Sequence, residues 1–436
     1  MSNRFSSSTR AAFAAGVSLI ALAGATTAQA GSFGLREQSA VGQGLSFAGA
    51  AAGGAGLGSM FWNPATITMN PGLQTSTTLS GISPYAKFKD QGSSSLPYRG
   101  STSGDVGQDA LLGSSYGSWQ LNDAIWLGYQ LTTPFGLVTK PDATFPGRTY
   151  GNTTKVMSIE AAPTIGYRVN DMLSFGASLR VMGFKVKYAS VTGGALGAPT
   201  LEGDDVGIGY ALGATFTPMP GTSIGIGFRS AVEQQLSGNF TSNLGVVPFK
   251  ANALLPEQLT LGVRQQIGER FTALAGVEWT NWSRLGFPRV YNQLTGAQLA
   301  AVPALPLDYK DGWFFSIGGE YVVNPEWTVR AGLGYEVSPI EDRTRNLRLP
   351  DNDRIWASLG ATYTWSNRVS FDVGYTHIFP QSTRVAIAPG NPTYNPLLGS
   401  LIGKVDAHVD IVAVAWKFRW DDPSKPIGVL PVKAKY

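Results

Sequence analysis

The chain has 436 residues, of which 43% are hydrophobic and only 14% charged, with 54 glycines and no cysteine. Its net charge of +4 comes from scattered Lys and Arg, which excludes the basic stripe that a nucleic-acid binder needs. The absence of cysteine suits a protein handled in an oxidising compartment.

Arg4 and Arg10 lie in a polar start, an apolar run covers 11–25, and Ala28-Gln29-Ala30 precede Gly31. That order is the layout of a cleavable secretory signal over residues 1–30. The apolar run is shorter than the about 20 residues a spanning helix needs. Residues 31–72 then form a Gly-rich segment ahead of any strand. They end in "GSMFWNPATITMNPG", where Asn63 can cap a helix and Pro64 can take its first position, followed by Ala65.

From Leu73 onward, runs of two-residue alternation recur, each placing one set of side chains on each face of a strand. Fourteen runs are predicted: 73–86, 110–120, 124–138, 155–168, 172–188, 205–217, 222–236, 256–267, 270–283, 312–323, 326–338, 354–365, 368–379 and 406–420. Short turns such as Asn122-Asp123, Asn170-Asp171, Asn324-Pro325 and Ser366-Asn367 alternate with long links. The long links are 87–109, 139–154, 189–204, 237–255, 284–311, 339–353 and 380–405. An even number of strands with alternating short and long connections is the pattern of an outer-membrane barrel. In 354–365 the apolar face (Ile355, Ala357, Leu359, Ala361) ends in Tyr363 and Trp365, as an interfacial aromatic girdle does. The fold class is therefore all-β, a 14-stranded antiparallel transmembrane β-barrel over 73–420. Both ends would face the periplasm, and the tail over 421–436 would trail there.

By parity the lumen receives Glu160, Arg180, Arg264, Glu278, Glu320 and Arg330, along with Arg168, Arg229, Asp372, Lys417 and Arg419. Opposite signs on neighbouring strands imply cross-strand pairing, because an unpaired charge in a narrow lumen is costly. A lumen of this size is wider than side chains alone can fill. Residues 31–72 would supply the plug, a hatch with short helices. In the third run, Pro134 has no N–H for the ladder and Gly136 weakens the strand two residues on. With Phe135 between them, they mark a break or a bulge.

At Phe33-Gly34-Leu35, "NPATITM" (63–69), "PFGL" (134–137), "YRVNDMLSFGASL" (167–179), "RLPDNDRIWASLGATY" (348–363) and "DVGYTH" (372–377), the chain resembles the FadL and toluene-X family. These are outer-membrane transporters for hydrophobic compounds. The resemblance implies passive uptake of a hydrophobic molecule, either a long-chain fatty acid or a monoaromatic hydrocarbon. Ligand would be collected at the outer loops, held above the hatch and released sideways at the kinked third strand. It makes Phe33 the N-terminal gate and Asn63, Pro64 and Ala65 the hatch motif. Lys185 and Lys187 are candidates for a headgroup, or face lipopolysaccharide phosphates. Phe240, Leu244 and Phe249 give the 237–255 link a sticky, entrance-like character. The 189–204 link is short, which departs from the long helical excursion of the family. A monomer in outer-membrane lipid is expected.

An unselective porin is the rival reading, opposed by the Gly-rich segment ahead of the strands. An outer-membrane hydrolase is a second rival. Only His377 and His408 could serve it, and both fall in the apolar register without a GxSxG. No catalytic residue, metal-ligand cluster or phosphate-binding loop is found, so neither a cofactor nor a metal is expected.

Overall fold

The computed structural model describes residues 32–191, 196–286, 288–299 and 307–421. The expected signal segment and the tail beyond Asp421 lie outside the described residues. Among the described residues, twenty strand segments form one sheet, and fourteen staves of it close on themselves. The staves are β1 (Leu73–Asp90), β2 (Ala110–Gln120), β3 (Ile125–Thr132, resuming over Gly136–Thr139), β4 (Thr153–Arg168), β5 (Leu173–Ala189), β6 (Thr200–Phe216) and β7 (Thr222–Arg229). The ring continues with β8 (Gln258–Ile267), β9 (Phe271–Thr280), β10 (Gly312–Val322), β11 (Trp327–Val337), β12 (Arg354–Thr364), β13 (Val369–Pro380) and β14 (Leu401–Arg419). All neighbours are antiparallel. The ring shuts where β1 pairs with β14 from Gln74–Arg419 to Asp90–Gly403.

Closure satisfies the backbone of every stave without leaving an edge, which is what a sheet needs in lipid. The outward faces are apolar: Leu179, Ile208, Leu333 and Leu359 are each more than half exposed. Trp327, Trp365 and Phe371 border that band at the end of the short turns. Those turns share one chemistry. The side-chain oxygens of Asn122, Asn170 and Asn324 each accept from the backbone N–H groups two and three residues on.

Inside the ring, residues 33–70 fold into one α-helical turn (Ala40–Gln43) and three 3₁₀ turns, the last over Pro64–Met69. The packing has a cause that the sequence pattern hides. The glycines of the plug turn the chain sharply, but the glycines of the inner wall let the plug approach. A Cβ built on Gly176, Gly225, Gly227 or Gly332 would fall within 3.0 Å of plug backbone atoms. Wall side chains then satisfy the plug's carbonyls. Tyr116 donates to the Gln38 carbonyl at 2.9 Å and Trp126 to that of Asn70 at 3.0 Å.

Two expectations are corrected. The run 222–236 is cut after Arg229, and the link 237–255 is largely a hairpin of strands Val232–Ser242 and Gly245–Leu255. The cut has a local reason. Ser230 keeps one ladder bond, its N–H to the Tyr210 carbonyl at 2.8 Å, but it takes the Tyr210 N–H on its hydroxyl at 2.9 Å and gives its carbonyl to Arg180 at 2.7 Å. The 124–138 run is also interrupted, at Thr133–Phe135, where the missing proline N–H was expected to tell.

Gly227→Val should displace the plug while leaving the ring intact, because its side chain would occupy the place of the Trp62 carbonyl. We expect normal heat-modifiability in gels and new steady ion conductance in planar bilayers. An electrically silent barrel would show that the wall tolerates the side chain.

Candidate functional site at the plug and the third strand

Asn63 holds the plug to itself and to the wall. Its Oδ1 accepts from Ala65 N at 3.0 Å, while its Nδ2 donates to the Ala51 carbonyl at 2.7 Å and the Ala214 carbonyl of β6 at 2.9 Å. Pro64 opens the turn that follows, and Ala65 is fully buried against Gly176. All three residues of the motif therefore meet β5 and β6.

At the other end of the plug, the chain crosses the break in β3. Leu35 N donates to the Pro134 carbonyl at 2.9 Å, and Gly136 N donates to the Phe33 carbonyl at 2.9 Å. Gly34 thus bridges to Phe135 like one residue of an added strand. On the opposite side, the Phe135 N–H finds the Ser158 hydroxyl of β4 at 2.8 Å. The interruption that Pro134 makes is filled by the first described residues of the chain.

Phe33 closes over this patch. Its ring lies 5.8 Å from Phe135 and 4.9 Å, edge-on, from Trp282. The Ser32 N–H donates to Asp351 Oδ2 at 3.2 Å, which ties the start of the segment to the loop between β11 and β12. Beside it lies a cavity of only about 30 Å³, lined among others by Leu35, Arg36, Pro134, Phe135, Arg229 and Trp282. That is room for a few waters at most, too little for an acyl chain.

The lumen charges meet as pairs. Glu160 receives Arg180 at 2.8 Å and Arg229 at 2.7 Å, all three buried. Glu320 receives Arg330 at 2.8 Å and Arg264 at 3.6 Å. Glu278 is engaged by Arg36 at 2.6 Å, and Arg36 also reaches Glu336 at 2.9 Å. Sequence reasoning missed Arg36 and Trp282. Arg36 was masked by reading its segment for glycine, although a charge in a segment bound for a lumen demands partners. Trp282 falls just past β9, in the 3₁₀ turn Trp282–Leu285.

Other candidates are not brought to the chamber. Lys185 and Lys187 share the outward register of Leu179 and Val181, and both bind Glu202 at 3.0 Å on the outer surface. Phe240 and Phe249 are buried in the hairpin instead of lining an open entrance, while Leu244 at its tip is 73% exposed. His377 contacts Asp410 at 2.7 Å and lies away from the chamber.

Neighbouring Arg36, the carboxyl of Glu37 is buried and takes no hydrogen bond from any other described residue. Burial pushes it up to about 7, against its own backbone N–H and the charge of Arg36, with Glu336 and Arg354 also in range. The folded protein therefore keeps a proton that the unfolded chain loses from about 4.5 upward. The contribution of Glu37 to stability is therefore fullest below that pH and is lost as pH rises toward 7. Glu37→Gln should flatten this slope in thermal unfolding of the detergent-purified barrel, and a slope identical to that of the native chain would count against the assignment.

The model of the family described as "Outer membrane protein transport protein (OMPP1/FadL/TodX)" matches residues 21–420. The long-chain fatty acid transport protein of Salmonella typhi is 25% identical over 427 residues, covering 87% of this chain and 94% of that protein. Among solved structures, a Pseudomonas aeruginosa FadL homologue superposes with a TM-score of 0.80 at 20% identity, over 89% of this chain and all of that one. The Pseudomonas putida toluene transporter TodX does so with a TM-score of 0.66 at 19% identity, over 88% and 99%. These two share the fold. The match along 21–420, together with the closed ring around its N-terminal plug, places this chain in the OMPP1/FadL/TodX family of outer-membrane transport proteins.

Proposed function

We propose that the protein carries long-chain fatty acids passively across the outer membrane and releases them sideways, at the break in β3. The observation that carries this reading is the backbone pairing of Phe33–Leu35 with Pro134 and Gly136. Withdrawing that short segment would do two things at once. It would enlarge the small cavity beside Trp282, and it would leave the edge of β3 at Pro134–Gly136 that faces away from β4 unpaired, where an apolar molecule could leave. No nucleotide is needed, because the ligand moves from water into lipid down its own transfer free energy.

Ligand would gather on the outer hairpin and descend along one continuous apolar cluster. It runs from Phe240 and Phe249 through Phe184 to Phe135 and Phe33. Asn63, Pro64 and Ala65 would hold the rest of the plug still while the segment ahead moves. The protein would act as a monomer among lipid and lipopolysaccharide. Uptake of monoaromatic hydrocarbons is a second reading, favoured by the all-aromatic contact of Phe33, Phe135 and Trp282.

Growth of a deletion strain on oleate and on toluene as sole carbon sources separates the two, and unimpaired growth on both would remove the transport reading. The double variant Pro134→Val, Gly136→Val restores a strand former at the break. We expect a folded barrel whose uptake falls about tenfold or more. Full uptake would exclude exit at β3.

A further inference from the structure

The outer hairpin has two faces, and only one of them belongs to the apolar path. Val232, Leu236, Phe240 and Phe249 point inward and join the cluster that contains Phe33. Glu233, Lys250 and Asn252 alternate with them and lie exposed on the other face. There a short strand, Val290–Asn292, pairs with the hairpin and sets Tyr291 opposite Lys250. An open groove of about 820 Å³ runs along this face, and its lining includes Glu233, Lys250, Asn252, Arg284, Arg289 and Tyr291. The volume is that of a ligand site. Arg284 is neutralised by Glu257 at 2.6 Å. Lys250 and Arg289 make no ion pair among the described residues, and they outnumber Glu233, the one carboxylate among the described lining residues.

Sideways, the groove continues into a polar row on the outer wall. Lys250 stands opposite Ser237, Ser237 opposite Asp204 of β6, and Asp204 opposite Lys185 of β5. One step higher, Lys155 of β4 stands opposite Lys187 of β5. Like charges in register destabilise a sheet. Lys187 is offset by Glu202 at 3.0 Å, whereas Lys155 makes no ion pair among the described residues. Directly beneath this row the wall turns apolar. Val206 and Ile208, the next two outward residues of β6 after Asp204, are 64% and 67% exposed. The charged groups thus begin where the lipid-facing surface ends.

We infer that this groove seats the phosphorylated headgroup of a lipopolysaccharide molecule, with Lys250 and Arg289 on its phosphates and its acyl chains against Val206 and Ile208. The long links of the barrel emerge from the outer leaflet, whose amphiphile carries phosphates directly above its acyl chains. Arg289 can grip a phosphate with two N–H groups and Lys250 acts on it as a point charge. Asn252 and Tyr291 add polar groups for the sugars that bear those phosphates. The groove lies on the far side of the hairpin from Phe240 and Phe249, so the inference stands apart from the transport reading.

The test compares binding of lipopolysaccharide, and of the same lipopolysaccharide stripped of its phosphates, to the purified full-length barrel in detergent. The native chain should bind the phosphorylated form more tightly. The double variant Lys250→Gln, Arg289→Gln should cut that preference about tenfold or more, the loss expected for one or two charge-assisted hydrogen bonds. Lys87→Gln removes a cation from β1, half the ring away, and should leave the preference in place. Equal binding of the two forms by the native chain, or an unchanged preference in the double variant, overturns the inference. So does an equal loss in Lys87→Gln, which would assign the attraction to net charge instead of the groove. Loss of oleate binding in the double variant would make the groove an entrance for transported ligand. A native dimer that the double variant splits into monomers would give the groove to a second copy. Either result also overturns the inference.

Discussion

In hydrocarbon there is no water to pair with a peptide group, so each N–H and C=O of a wall that faces lipid must find a partner in the protein. The fourteen staves meet this demand through one ring of ladders, and Pro134 breaks the ring at a single residue type that cannot donate. What repairs it is the segment Phe33–Leu35, which lends one donor and one acceptor. The same contact therefore seals the wall and positions the start of the plug. In the proposed lateral release, withdrawing the segment would unpair this edge of β3, which would tie the state of the chamber to the state of the barrel's side.

The plug itself is held by two kinds of force acting at different depths. Low in the barrel, wall glycines allow backbone-to-backbone contact, and dispersion over that close fit is supported by hydrogen bonds from Tyr116, Trp126 and Asn63. Higher up, buried charges dominate, with Arg36 joined to Glu278 and Glu336, and Arg180 and Arg229 joined to Glu160. Such pairs add little net stability over an apolar filling, but breaking one leaves a stranded charge. They fix register more than they bind. The part of the segment that would move in the proposed release, Ser32 to Leu35, sits beyond both networks and is held by few bonds.

The strands were readable because alternation in this chain is nearly uninterrupted and because asparagine marks the short turns. Pro134 was readable for a covalent reason, its missing N–H. The hairpin over 232–255 was not, since its break depends on Ser230 and Arg180 meeting across strands, a contact without local signature. Parity placed Glu160, Arg180 and Glu278 in the lumen but could not say that Arg36 would come up from the plug to join them. Lys185 and Lys187 are a different case. Alternation runs through them unbroken and puts them on the outward face with Leu179 and Val181, opposite the inward Arg180, so their register already excludes them from the lumen.

The close seating of the plug against Gly225, Gly227 and Gly332 also constrains how the molecule is made. Only three residues, Asn70, Pro71 and Gly72, separate the last turn of the plug from β1, and Leu73 N donates to Asp421 at 2.8 Å, just past the final stave. A segment so tightly seated cannot be threaded through a finished cylinder from one end. Seating it before the seam between β1 and β14 closes would avoid that passage, with the plug serving as a form for the cylinder.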